Sequence, residues 1–442
     1  MQLLALRRWS DLDDDERRRI LARSNERVFD PNLRASIQAI YDDVAARGDI
    51  AVSEATAAFD GAEIPPERLA VTPEELAAAH ASIDPALLDA IRVAIANVRA
   101  FSEAQLAATA GGWRAEIAPG VEVGEKFSPI PSVGLFVPCG KASYPSVLVQ
   151  IGTPAVTAGV PDIAVVVPPV PGTSDVDIAT LATAHELGIT RVYRANGPAG
   201  IAAVALGTET IRRVRKIVGP GSPAVTMAQI IAQGYGVLTS MISGPSESVV
   251  VADGTADPHR AALDLLNEAE HGEDSAALLL TDSLALAEAV DTELVPMVEL
   301  LPEPRAKAAR SALGVWGGAF VFDSMADAID FANLYAVEHI QLATADPEAT
   351  LGGLEYAGEA LLGQHTTISE TNFVIGVPAT LPTGGFAQVN GGVTARTFTV
   401  PIAISKLDEG ALRRLAAPTL LLADHEGFPA HANALRLRGL GE

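Results

Sequence analysis

The chain has 442 residues, of which 48% are hydrophobic and 19% charged, and a formal net charge of −24. That length allows more than one hydrophobic core, so two or three globular domains are expected. The acidic balance argues against nucleic acid and anionic membrane surfaces as partners, because both select clustered Lys and Arg.

A single cysteine, Cys139, excludes an intramolecular disulfide framework and a cysteine-only metal site, which fits a reducing, cytoplasmic location. The start, from Met1 to Ser10, runs directly into Asp11, Asp13, Asp14, Asp15 and Glu16, so no secretory signal is expected. Apolar stretches such as Ile163 to Val170 are broken by proline. They fall well short of the roughly 20 residues that cross a bilayer.

In chain order, Leu33, Ile37, Ile40 and Val44 recur at helical spacing, and Leu87, Ile91, Ile95 and Val98 repeat the pattern behind an Asp84-Pro85 start. The first quarter is therefore expected to be helix-rich. After about residue 130, short apolar runs alternate with helical stretches: Val133 to Pro138, Ile163 to Pro168, Val192 to Arg194, Lys216 to Val218, Val249 to Ala252 and Ala277 to Leu280. Such alternation predicts βαβ units on a mostly parallel sheet. Ala319 to Phe322, Ile340 to Ala343 and Ala360 to Leu362 form a second set, followed by a glycine-rich stretch and a helical pattern around Leu412 to Leu422.

Between Asp257-Pro258, a good helix start, and Gly272 runs DPHRAALDLLNEAEHG. Glu268 and His271 lie three apart, so they share one helix face and could close on a single ion, or simply be a solvated pair. Glu338-His339 falls where a helical pattern gives way to the apolar run from Ile340. A histidine beside a carboxylate at such a junction suits proton transfer near neutral pH, although a surface loop is the plainer reading. The run VGPGSPA, ending at Ala224, has the glycine spacing of a dinucleotide turn, but its proline and late position make it a poor fingerprint. Cys139, which follows a strand next to Gly140, reads as a small, buried or half-buried thiol.

In combination these features resemble the histidinol dehydrogenase family. The similarity extends from about residue 30 and rests on VGLFVPCG, YPSVLVQIGTPAVTAGV, GIAAVALGTETI, KIVGPG, SGPSESVVVAD, the Glu268–His271 helix, the Glu-His pair, TLPTGG and EGFPAHANALRLR. The resemblance implies an α/β fold of two Rossmann-like domains with parallel-rich sheets. Residues 30–135 with 248–393 would form the first and 136–247 the second, after a helical N-terminal segment, 1–29, and before a small tail module, 394–442, exchanged in a homodimer. It further implies one zinc per site, NAD as oxidant, and oxidation of a primary alcohol through an aldehyde to the carboxylate. Carried over by position, His339 is the general base and Glu338 activates the attacking water. The metal positions fall on Glu268, His271, Asn372 and His431. Substrate contacts fall on Ser246 and Glu426 together with Glu268, His271, His339, Asn372 and His431, with Glu426 and His431 arriving from the other subunit's tail.

This chain departs from the family pattern in ways that bear on chemistry. Glu268 stands where the family has Gln and Asn372 where it has Asp, so two changes of charge cancel and divalent binding is expected to persist. Phe136, Ala199 and Ser222 occupy the cofactor-contacting positions with less hydrogen-bonding capacity than the family's residues. Pro378-Ala379 replaces Asn-His on the substrate side, which predicts altered substrate preference. The substrate is thus L-histidinol or another small polar alcohol, as in relatives acting on sulfonated propanediols. A non-catalytic paralogue that keeps fold and dimer, or a metal-dependent hydrolase or lyase using the same Glu-His pair, are the alternatives.

Overall fold

Runs such as Glu247–Ala252 and Ala276–Thr281 are buried along their whole length, which marks strands covered on both faces by crossover helices. The computed structural model describes residues 2–23, 28–109, 112–139 and 142–440. Its mixed α/β fold contains two parallel sheets and one small antiparallel sheet. The first sheet has six strands in the order Leu6–Arg8, Gly318–Val321, Ala276–Thr281, Glu247–Ala252, His339–Ala343, Glu359–Leu362, all neighbours parallel. The second has five, in the order Arg191–Arg194, Ile163–Val167, Val133–Phe136, Lys216–Val218, Leu238–Thr239, again parallel throughout.

Both sheets are built the same way. The chain lays strands outward on one side of a starting strand, Glu247–Ala252 or Val133–Phe136, and then returns to that strand's other side. The return leaves a crevice between neighbouring strands whose connections leave in opposite directions. Among the described residues, no helix is long and apolar enough to cross a membrane.

Three expectations need correction. The segment before residue 30 is not simply helical: after strand Leu6–Arg8 joins the edge of the first sheet, helix Asp14–Ala22 follows, opened by an Asp13–Glu16 capping box. Residues 24–27 lie outside the described residues.

The stretch 30–135 does not pack with the first sheet. Helix Pro31–Arg47 places Ile37, Tyr41 and Val44 against Val166, Ile201 and Ala228, and the Tyr41 hydroxyl donates to the Ala228 carbonyl at 2.7 Å. Helix Pro85–Ala107 packs Leu88, Ile91, Ile95 and Val98 in one cluster with Val133, Leu148 and Val165. The apolar stripes of these helices bury on the second sheet, and strand Val133–Phe136 is central to that sheet.

The tail is not self-contained either. Strand Thr399–Leu407 pairs antiparallel with Val121–Pro129, which in turn pairs with Trp113–Ala118. Helices Glu409–His425 and Pro429–Arg436 follow.

Helix Pro258–Ala269 lies against the first sheet and buries Asp264. Burial, with Glu370 nearby and only Arg260 opposing, pushes the Asp264 carboxyl up to about 7. The folded state therefore holds a proton that the unfolded chain gives up near pH 4, and stability falls as pH rises from about 4 to about 7. Asp264→Asn removes that penalty. It should raise stability near pH 8 by up to about 4 kcal/mol and change it little near pH 4, as read by urea unfolding at both values. Leu279 is fully buried on the strand between Val250 and Ala319. Leu279→Ala should cost about 2–5 kcal/mol in the same assay, and a loss much below 1 kcal/mol would contradict this placement.

Candidate active site

A cavity of about 820 Å³ is lined by residues from both parallel units. From the first sheet come residues at the amino ends of two adjacent strands: Ser246, just before Glu247–Ala252, and Glu338-His339 at the start of His339–Ala343. From the second come Pro138 and Cys139, beyond Val133–Phe136, and Pro220 to Ser222, beyond Lys216–Val218. The latter two strands flank the crevice of the second sheet, at its carboxyl ends, where open α/β sheets bind ligands.

Glu268 is in the last turn of helix Pro258–Ala269, whose start is fixed by the Asp257 side chain accepting from the His259 N–H at 3.0 Å. Its carboxylate is 1% exposed. One oxygen lies 2.7 Å from His271 Nδ1, and the other accepts from the Asn372 amide nitrogen at 2.9 Å. Ser246 Oγ lies 3.2 Å from the same His271 nitrogen. Glu338 Oε2 accepts from the Glu247 N–H at 3.1 Å, and its Oε1 is 4.0 Å from His339 Nε2. On its other side, His339 places Nδ1 2.9 Å from Glu359 Oε2. Donor atoms of Glu268, Glu338 and His339 all lie within 4.8 Å of one another.

These contacts displace the protonation equilibria. Burial opposes charge on Glu268, yet His271, His339 and the Asn372 amide hold its carboxyl down to about 2. Burial is the main cause that pushes Glu338 up to about 8, with the Glu268 charge adding to it against His339 and the Glu247 N–H. For His339, burial disfavours the imidazolium, but the Glu359 hydrogen bond and the charges of Glu338 and Glu268 outweigh it and raise the ring to about 9. His271 is also raised: burial works against its charge and the Glu268 carboxylate more than compensates.

Support for Glu338 reaches back to the N-terminal segment. The residue whose N–H holds Glu338 is Glu247, and its own buried carboxylate pairs with Arg23 at 2.8 Å and accepts from the Gly384 N–H at 3.1 Å. The Arg23 guanidinium lies over the Tyr335 ring, 3.6 Å from its centre. Arg23 holds this position with φ of 58°, a left-handed value unusual for a residue with a side chain.

Seven of the eleven residues to which the resemblance assigns a site role line this one cavity: Glu268, His271, Asn372, Glu338, His339, Ser246 and Ser222. Four do not. Phe136 and Ala199 are 2% and 0% exposed in the apolar core of the second unit, because their side chains face the helix–sheet packing. Glu426, capping the end of helix Glu409–His425, and His431, whose ring lies 5.3 Å from that of Phe428, are exposed on the tail and do not line the cavity of their own chain.

Sequence reasoning missed Glu359, whose signal was a lone carboxylate opening the otherwise apolar strand Glu359–Leu362. The run VGPGSPA has a structural role in the second unit. That run links strand Lys216–Val218 to helix Pro223–Ala232, and a Cβ at Gly219, where φ is 143°, would stand 2.2 Å from the Phe136 carbonyl.

A family model described as Histidinol dehydrogenase matches residues 23–439. The chain is 41% identical to the histidinol dehydrogenase of Synechocystis sp. over 95% of each sequence. It is 37% identical to a histidinol dehydrogenase homolog of Colwellia psychrerythraea, over 97% of this chain and 95% of the relative. Among solved structures, histidinol dehydrogenase from Elizabethkingia anophelis superposes with a TM-score of 0.92 at 31% identity, covering 99% of this chain and 98% of the other. With a match of this extent in sequence and in fold, the chain belongs to the histidinol dehydrogenase family.

Proposed function

We propose that this chain is a divalent-metal-dependent, NAD-linked, cytoplasmic dehydrogenase that oxidises a small primary alcohol, L-histidinol or a polar relative, through the aldehyde to the carboxylate. The observation that carries the reading is the Glu338–His339 couple facing the same cavity as Glu268. Glu268, His271 and the Asn372 carbonyl oxygen supply a carboxylate, an imidazole and an amide donor, a set that suits zinc or a similar ion. The glycine-tight turn Gly219–Ser222 opens the N-terminal end of helix Pro223–Ala232 toward the cavity, a setting suited to a dinucleotide phosphate. A cation held there would anchor and polarise the substrate, and bound NAD would supply the hydride acceptor for two successive oxidations.

The chain's own groups move the protons. His339 Nε2, turned away from Glu359, takes the proton of the alcohol hydroxyl as the carbon loses hydride. Glu338, ionised, takes a proton from the water that adds to the aldehyde, and His339 serves again as base for the hydrate. Leu87, Ile91, Ala379 and Leu381 give the cavity an apolar wall, which supports a shift of substrate within the family's range.

Glu426 and His431 fit the reading as groups that a homodimer brings to the cavity of a second copy. The tail that bears them exposes Leu421, Leu422, Phe428 and Leu437, a surface suited to burial between subunits.

Purified protein supplied with zinc and NAD should form NADH with L-histidinol or with one of a panel of amino, hydroxy and sulfonated alcohols, and should carry stoichiometric metal as isolated. No NADH from any of them would refute the dehydrogenase reading. His339→Asn should lower kcat by about 100- to 10,000-fold. Both bases act only after losing protons that the site retains up to about 8 on Glu338 and about 9 on His339. Turnover should therefore climb with pH from neutrality toward about 9, and a kcat profile that declines over that interval would contradict the assignment.

A further inference from the structure

Glu359 does not line the cavity, yet it makes the closest polar contact to the residue assigned as base. Strands His339–Ala343 and Glu359–Leu362 run parallel with His339 directly opposite Glu359, so the two side chains leave the sheet on the same face. The carboxylate side chain is 8% exposed and the imidazole 3%, and Glu359 Oε2 lies 2.9 Å from His339 Nδ1. The backbone fixes this register independently: the Glu359 N–H donates to the Glu338 carbonyl at 2.9 Å. Gly358 makes that approach possible, since a Cβ there would stand 2.5 Å from the same carbonyl oxygen.

A ring nitrogen that donates to a carboxylate determines what the other nitrogen can do. With Nδ1–H given to Glu359, His339 can lose only its Nε2 proton, and Nε2 is the atom nearest Glu338. We infer that Glu359 is a positioning residue that fixes the tautomer and ring orientation of His339 so that Nε2 faces the substrate. The inference rests on the dehydrogenase reading for its kinetic consequence and on geometry alone for the hydrogen bond.

The test uses the full chain labelled with ¹⁵N-histidine, together with Glu359→Ala and Glu359→Gln. A downfield Nδ1–H proton signal, assigned by its loss in His339→Asn, should be present in the unmodified protein, kept in Glu359→Gln, whose amide oxygen still accepts, and lost in Glu359→Ala. In L-histidinol oxidation with NAD, Glu359→Ala should lower kcat about 10- to 100-fold with KM changed less than about threefold, and Glu359→Gln should recover most of the loss. A merely structural carboxylate would instead alter thermal stability and leave kcat of the folded variant unchanged, which overturns the inference. Absence of the proton signal in the unmodified protein, or its loss in Glu359→Gln, also overturns it, and both hold even where Glu359→Ala does not fold. If the unmodified protein turns over no alcohol, the functional reading fails while the proton signal still decides the role of Glu359.

Discussion

Crowding carboxylates around one imidazole is the constraint on which the site depends. Glu268, Glu338 and Glu359 all reach His339 electrostatically from largely buried positions, where each unpaired charge would be expensive. The protein resolves this unequally. Glu268 keeps its charge by drawing on His271, His339 and Asn372, whereas Glu338, given one backbone N–H, holds a proton into the neutral range. Two carboxylates a few ångströms apart thereby acquire different characters, one a fixed anion and the other a group able to exchange protons.

Architecture explains why these residues meet. In the second sheet the cavity lies at the carboxyl ends of strands beside the crevice, the usual place for a ligand in an open parallel sheet. In the first sheet it lies at the amino ends, where Ser246, Glu338 and His339 enter their strands. One sheet thus presents a glycine-rich turn and a helix start, the other a row of titratable side chains held by strand register.

Local patterns made part of this legible. Glu268 and His271 share a helix face by spacing alone, and the apolar runs foretold most strands of both parallel sheets within a residue or two. The Glu338-His339 couple was visible at a helix–strand junction. Glu359 was not, because its contact with His339 is set by which strands become neighbours, and that depends on crossovers rather than on sequence near either residue. The antiparallel sheet escaped notice since its strands are largely exposed and show only polar–apolar alternation, as in Val121–Pro129. The packing of residues 30–107 on the second sheet was hidden for a similar reason: an apolar stripe says that a helix is buried and does not say against what. Phe136 and Ala199 are buried in the core of the second unit rather than on the cavity wall, a placement that motif position alone does not reveal.

The stacked Arg23 carries a practical consequence. Its guanidinium, lying on Tyr335 and paired with Glu247, is the outermost link of a chain of contacts that ends at the Glu338 carboxylate. Arg23, at the end of helix Asp14–Ala22, therefore ties the N-terminal segment to the candidate site. Losing Arg23 would leave the buried Glu247 carboxylate without its guanidinium, a change felt beside the Glu338 carboxylate rather than at the surface.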